Sequence, residues 1–205
     1  MISYLCQMNY LAHLFLSGKD EGIIVGNFLG DLMPKKDIIK LPDDIRDGVF
    51  IHRHIDAFTD DHPEVRKGVL RLHGRHHKYA PVLTDIYYDY FLAKNWSKYT
   101  DESLTDFSIR TYAVLQDHAA LMPEGVRNYM SKLVAADWLH NYGQLEGIEY
   151  TFNRLRKRLS RPELLDGVMD SLIEQEADFD REFKLFFPDL MEYVKDEILK
   201  LKIEI

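Results

Sequence analysis

At 205 residues, with 46% hydrophobic and 12% aromatic side chains, the chain can bury one sizeable core and is not a generally disordered protein. Thirty-four acids against 26 Lys and Arg leave a net charge of −8, which disfavours broad nucleic-acid binding but leaves room for local basic faces. A single cysteine, Cys6, excludes an intramolecular disulfide and a cysteine metal cluster. The start lacks a basic region and no run reaches the roughly 18 apolar residues of a membrane span, so a cytoplasmic location with no membrane partner is expected.

In chain order the pattern reads as helix after helix. Tyr10, Leu11, Leu14 and Phe15 fall at helical spacing over 9–15, and "SGKDEG" ends that element. The next apolar segment, 22–33, carries Asn27 and Asp31 and is closed by Pro34. A helix is predicted over 43–59, entered through Pro42, with Asp43 and Asp44 favouring its positive end. Pro63 opens another helix, and Pro81 sits near the start of one carrying Asp85 and Asp89. Segments near 103–121, 123–141, 145–159 and 162–175 lead to an amphipathic stretch, 176–201, interrupted at Pro188. Two-residue alternation is scarce, and no repeat or long linker divides the chain. The expected fold is one compact all-α domain.

The chemistry concentrates in "GVFIHRHIDAFTDDHPEV", residues 48–65, where His52, His54, Asp56, Asp60 and Asp61 lie among core-forming residues. On a helix, residues four apart share a face, which pairs His52 with Asp56, Asp56 with Asp60, and Asp85 with Asp89. With Asp31 and His13 on neighbouring helices, such nitrogen and oxygen donors suit a divalent ion, Mn, Mg, Fe or Zn, without choosing among them. An acid in a helical core needs a metal or an Arg or Lys beside it, and Arg53 is the rival partner. His54 points off the His52 face and reads as substrate-facing, supporting or exposed. His62, His73, His76, His77 and His118 read as surface residues; His140 reads as a core or hydrogen-bonding one. Phosphate-cradling glycine loops and a serine elbow are both absent.

Several segments together resemble the acyl carrier protein phosphodiesterases: "MNYLAHLFLS" from Met8, "GNFLGD" from Gly26, "IHRHIDAFTDDHPEV" from Ile51 and "LTDIYYDYFLAKNW" from Leu83, followed by "YMSKLVAADWLHNY" and "FDREFKLFFPDL". The resemblance begins at Met8, so residues 1–7 read as an extension without a catalytic role and 8–205 as the domain. It implies a divergent HD-domain-like helical core, found in bacteria. The implied activity is hydrolysis of the phosphodiester joining 4'-phosphopantetheine to a serine of holo acyl carrier protein. The implied cofactor is Mn2+, with Mg2+, Fe2+ or Zn2+ as alternatives and one or two ions. Position by position it implies a metal held by Asp31, His52, Asp56 and Asp89, with Asp85 as ligand or support. Arg53 is implied on phosphate, and Asp60 or His13 orienting water or an imidazole; Asn27 and His54 are assigned to substrate or support. Tyr90, where a histidine can stand in the family, and His54, where an Arg can, depart from the pattern.

The substrate is then an acidic protein, and an acidic enzyme needs a focused basic patch to receive it. The run 66–78, with Arg66, Lys67, Arg71 and Arg75, follows the proposed metal helix and is the first choice. The second is 154–161, with Arg154, Arg156, Lys157 and Arg158. Two other readings of the chain remain open at this point: an HD-like nucleotide or small-molecule phosphohydrolase, and a non-enzymatic helical binding protein.

Overall fold

Apolar side chains recurring every three or four residues wind this chain into helices, and no strand occurs among the described residues. A computed structural model describes residues 10–203; the expected extension over 1–7 lies outside them. In chain order the helices are α1 (Tyr10–Leu16), α2 (Glu21–Leu29), α3 (Lys35–Ile38), α4 (Asp43–Asp61), α5 (Pro63–His76) and α6 (Ala80–Lys94). They continue as α7 (Leu104–Asp117), α8 (Glu124–Ala135), α9 (Trp138–Asn141), α10 (Leu145–Arg156), α11 (Val168–Glu174) and α12 (Glu176–Ile203). The all-α expectation is met.

Local chemistry sets the helix starts. The Asp20 carboxylate accepts the Ile23 N–H at 3.2 Å and caps α2. Ser103 caps α7, accepting the Asp106 N–H at 3.0 Å and donating its hydroxyl to the same residue's carboxylate at 2.7 Å. Pro63 occupies the first turn of α5, where its missing N–H costs nothing.

The tightest contact in the molecule is between α2 and α4, and glycine makes it possible. Gly22, Gly26 and Gly30 recur every four residues, and Gly48 meets them from α4. A Cβ on Gly26 would overlap the Ile45 carbonyl oxygen and lie 2.6 Å from the Gly48 Cα. A Cβ on Gly48 would lie 2.6 Å from the Ile23 carbonyl oxygen and 2.7 Å from that of Gly22. The backbones touch where side chains would normally separate them. At Gly30 the space a Cβ would need is filled by the His52 imidazole.

Around this pair, α1 lies against α2 and α6, and α12 runs along α4, α5 and α6. Helix α12 buries Phe179, Phe183 and Phe187, four residues apart, with Phe183 and Phe187 stacked at 5.0 Å and Tyr87 edge-on to Phe179 at 5.1 Å. Each such ring contributes about 1.5–3 kcal/mol of burial. Glu182 is buried on the same helix and receives both ends of the Arg71 guanidinium, Nη1 at 2.8 Å on one oxygen and Nη2 on the other. Removing either partner would leave the other charge buried and unpaired.

Three boundaries differ from the sequence reading, each for a local reason. Helix α12 is not interrupted at Pro188: that residue is exposed, so the Lys184 carbonyl it deprives of a donor meets water rather than core. The 123–141 segment divides because Asp137 adopts the left-handed conformation (φ +45°), its carboxylate accepting from the Tyr112 hydroxyl at 2.9 Å. The 162–175 segment divides at Gly167, also left-handed. His76 is a further correction. It is fully buried, with Nδ1 on the Leu164 carbonyl at 2.7 Å and Nε2 facing the Ser171 hydroxyl at 2.9 Å, so it joins α5 to the α11 region instead of facing solvent.

The glycine seam yields a direct test. Gly26→Ala should lower unfolding stability by about 3 kcal/mol, because the overlap is with backbone and cannot be relieved by a rotamer change. Gly74→Ala, in open space on α5, should be neutral or stabilising by up to about 1 kcal/mol. Denaturant unfolding of both variants checks this; equal stabilities would mean that α2 and α4 can separate without cost.

Candidate metal centre

Four segments converge beside the glycine seam. Helix α1 brings His13, α2 brings Asn27 with Asp31 just beyond its end, α4 brings His52 and Asp56, and α6 brings Asp85 and Asp89. His52 and Asp56 are the expected four-residue pair, with His52 Nε2 3.3 Å from the Asp56 carboxylate. The same nitrogen lies 3.4 Å from Asp31, and His13 Nε2 lies 3.2 Å from the other Asp56 oxygen. The two imidazoles are 4.3 Å apart between ring centres. His52 and Asp56 are thus brought together as their spacing predicted, Asp31 reaches His52 from the end of α2, and His13 stands inside the cluster rather than behind it.

Asn27 decides how the two imidazoles are protonated. Its amide N–H groups donate to the His13 carbonyl at 2.9 Å and the Ser17 hydroxyl oxygen at 3.0 Å. Ser17 in turn donates to the His13 carbonyl at 2.9 Å. With both amide donors spent, the Asn27 oxygen must be the atom 2.8 Å from His13 Nδ1 and 3.2 Å from His52 Nδ1. An amide oxygen only accepts, so both Nδ1 atoms carry hydrogen. In the neutral rings both Nε2 lone pairs then face the carboxylates. Both Nε2 atoms are buried and neither has an aligned hydrogen bond, although each lies within ion-pair distance of an acid.

These residues fit a divalent cation. Donor atoms of His13, His52 and Asp56 all lie within 4.8 Å of one another, near the span of two ligands each about 2.0–2.2 Å from one ion. Acidity around them is uncompensated by the protein's own cations. Among the described residues Asp56, Asp85 and Asp89 form no ion pair with Arg or Lys, and Arg53, the rival partner, is exposed and paired with none of them. Burial, then the charges of Asp56 and Asp60, push the Asp85 carboxyl up to about 8. Burial likewise raises Asp60, with Asp56 and Asp61 adding to it. His52 is pulled down by burial, but the Asp31 and Asp56 carboxylates outweigh that and leave it above the ordinary range. Asp56 is opposed by burial yet held below its ordinary value by His13 and His52.

Asp89 has a second task that the sequence did not reveal. It is fully buried, and its oxygens accept the backbone N–H groups of Leu11 at 3.0 Å and Ala12 at 2.9 Å, which fastens the first turn of α1. Burial pushes its carboxyl up to about 7, against those two donors. His54 turns away to α12, with Nδ1 2.6 Å from the Tyr193 hydroxyl and 3.5 Å from Glu197. Asp60 is exposed one turn beyond Asp56. The four α5 cations each meet an acid: Arg66 with Asp61, Lys67 with Glu64, Arg71 with buried Glu182, and Arg75 with Asp170 at 3.7 Å. The α5–α12 packing takes Arg71 inward, while Arg66, Lys67 and Arg75 stay exposed, each beside an acid, so the basic face expected of them is shared with carboxylates.

A family model described as "Acyl carrier protein phosphodiesterase" matches residues 8–190. Proteins named acyl carrier protein phosphodiesterase from Serratia proteamaculans and Photorhabdus laumondii are 28% and 29% identical to the chain, over 94% and 93% of it and 100% and 96% of their own lengths. One of the same name from Escherichia coli O6:H1 is 30% identical over 94% of the chain and all of its own length. No solved structure matches the chain. No helix among the described residues is long and apolar enough to cross a membrane.

Three outcomes follow from this geometry. Carboxyls raised on folding, and a raised His52, contribute stability that is complete below their unfolded values and lost as pH rises through the folded ones. Metal-free protein should therefore lose stability between about pH 4 and pH 8, and added Mn2+ should raise the melting temperature more at about pH 8 than at about pH 6, because binding displaces those protons. Thermal unfolding with Mn2+ or with chelator measures both, and a metal-free protein that gains stability over that range would contradict the assignment. Asn27→Ala should weaken Mn2+ binding by about 10–100-fold while leaving all donor residues in place; isothermal titration calorimetry checks it.

Proposed function

The chain belongs to the acyl carrier protein phosphodiesterase family, and from that premise we propose that it hydrolyses the phosphodiester between 4'-phosphopantetheine and the serine of holo acyl carrier protein. The products are apo carrier protein and 4'-phosphopantetheine. The observation that carries the reading is the pair of buried Nε2 atoms of His13 and His52, neither with an aligned hydrogen bond, converging on the Asp56 carboxylate, a donor set that suits a cation.

His13, His52, Asp56 and Asp31 hold the ion, with Asp85 adding charge from α6. A divalent ion there supplies Lewis acidity toward the phosphoryl group and makes water a better nucleophile at neutral pH. Mn2+ is the proposed metal, in keeping with the resemblance of the early and central motifs. Asn27 keeps both imidazoles aimed, and Asp89 keeps α1, and so His13, in place. Arg53 sits next to His52 on α4, exposed and without a carboxylate partner among the described residues; it gives parallel N–H donors to phosphate oxygens. Asp60, one turn past Asp56, orients the attacking water.

Purified protein should be incubated with holo carrier protein, nucleotides and small phosphodiesters in the presence of Mn2+, Mg2+, Fe2+ or Zn2+ separately. Intact mass should show conversion of holo to apo carrier protein, fastest with Mn2+. Asp31→Asn and His52→Gln should each reduce turnover by about a hundredfold while the fold persists. Rapid turnover of a nucleotide with no apo carrier protein formed would replace this reading with that of a nucleotide phosphohydrolase.

A further inference from the structure

Carrier docking requires cations that the fold has not already used. Those of α5 face acids, as described above. Beyond α5, Arg156 pairs with Asp166 and Arg161 with Glu163. Arg154, Lys157 and Arg158 are different: among the described residues none of them forms an ion pair. Arg154 and Arg158, four residues apart, are held instead over the rings of Tyr150 (5.8 Å) and Tyr129 (5.7 Å). In a chain of net charge −8, this is a concentrated positive face that internal pairing does not neutralise.

The two guanidinium groups flank a slot walled by Tyr129, Leu133, Trp138 and Tyr150. Trp138 is more than nine-tenths buried, and its indole N–H has no acceptor among the described residues. A buried donor left open at the floor of an aromatic slot marks a place for a group from outside. Tyr10 and Tyr142 close the inner side. Tyr10 lies one turn before His13 on α1, and Tyr142 hydrogen-bonds Asp89. The slot therefore adjoins the helix that presents His13 to the metal cluster.

We propose that this α8–α10 face, and not α5, receives the carrier protein, as an acidic helix whose carboxylates meet Arg154 and Arg158 at the rim of the aromatic slot. The proposal rests on the carrier-protein reading above. The scissile ester sits on a serine of the carrier's own surface, so the docking face has to adjoin the metal residues. The side chains of Arg154, near the end of α10, and Arg158, in the turn just after it, give two cations on the rim of one slot, an arrangement suited to a pair of carboxylates.

The test measures binding of fluorescently labelled apo carrier protein, the product, to the full chain at low and moderate salt. Wild-type binding should weaken with salt. The double variant Arg154→Gln/Arg158→Gln should bind about tenfold more weakly, lose most of the salt dependence, and melt at the wild-type temperature. Lys67→Gln/Arg75→Gln should bind as wild type does. Unchanged binding by the Arg154/Arg158 variant, loss in the Lys67/Arg75 variant instead, or no wild-type binding at any salt would each overturn the proposal. Arg154- and Arg158-dependent binding without release of 4'-phosphopantetheine would leave the docking face standing and sink only the hydrolase reading.

Discussion

The close approach of α2 and α4 is the constraint on which the remaining architecture depends. Helices separated by ordinary side chains run about 8–10 Å apart, with a layer of side chains between their backbones. Gly26 against Gly48 removes that layer. Asn27, next to Gly26, can then hydrogen-bond His52 from α4 and His13 from α1 through a single oxygen. Gly30 extends the same relief one turn further, where the His52 ring fills the vacated space. Packing and chemistry are set by one stripe of missing side chains.

A second consequence concerns charge. Hydrophobic helices normally expel carboxylates or neutralise them with Arg, and this protein does the latter once, at Arg71 and Glu182. Around His52 it does neither. Asp56, Asp85 and Asp89 are left to His13, His52, the Tyr142 hydroxyl and two backbone N–H groups, and the raised Asp85 and Asp89 carboxyls register the deficit. The contrast within one fold separates a structural ion pair from a cluster awaiting a cation more sharply than either would alone.

Much of this was legible in the sequence, because it followed from local periodicity. Four-residue spacing put His52 and Asp56 on one face, and apolar recurrence identified the helices that carry Asp31, Asp85 and Asp89. What was hidden depends on approach between distant segments. Nothing near His13 distinguishes a ligand from a supporting residue; its place follows from the α1–α2 contact and from Asn27. The "RKGVLRLHGRHHKYA" run looked like a free basic face because the partners of Arg71 and Arg75, Glu182 on α12 and Asp170 on α11, lie more than 90 positions away, and only Asp61 and Glu64, which pair with Arg66 and Lys67, stand close by. His76 misled for the same reason, its partners being Leu164 and Ser171. Pro188 was read as an interruption because a sequence does not say which side of a helix faces water.

The attachment of α1 to Asp89 also bears on the order in which the centre can be assembled. Seven residues are too few for a helix to persist alone in water, so α1 takes shape only when the α6 carboxylate collects the N–H groups of its first turn. The His52–Asp56 half of the cluster needs nothing beyond α4 and can exist as soon as that helix winds. The His13 half must wait for a contact between residues 77 and 78 positions apart. A nascent chain therefore presents the His52–Asp56 pair first and brings in His13 last, so the finished site reports that α1 has docked against α6.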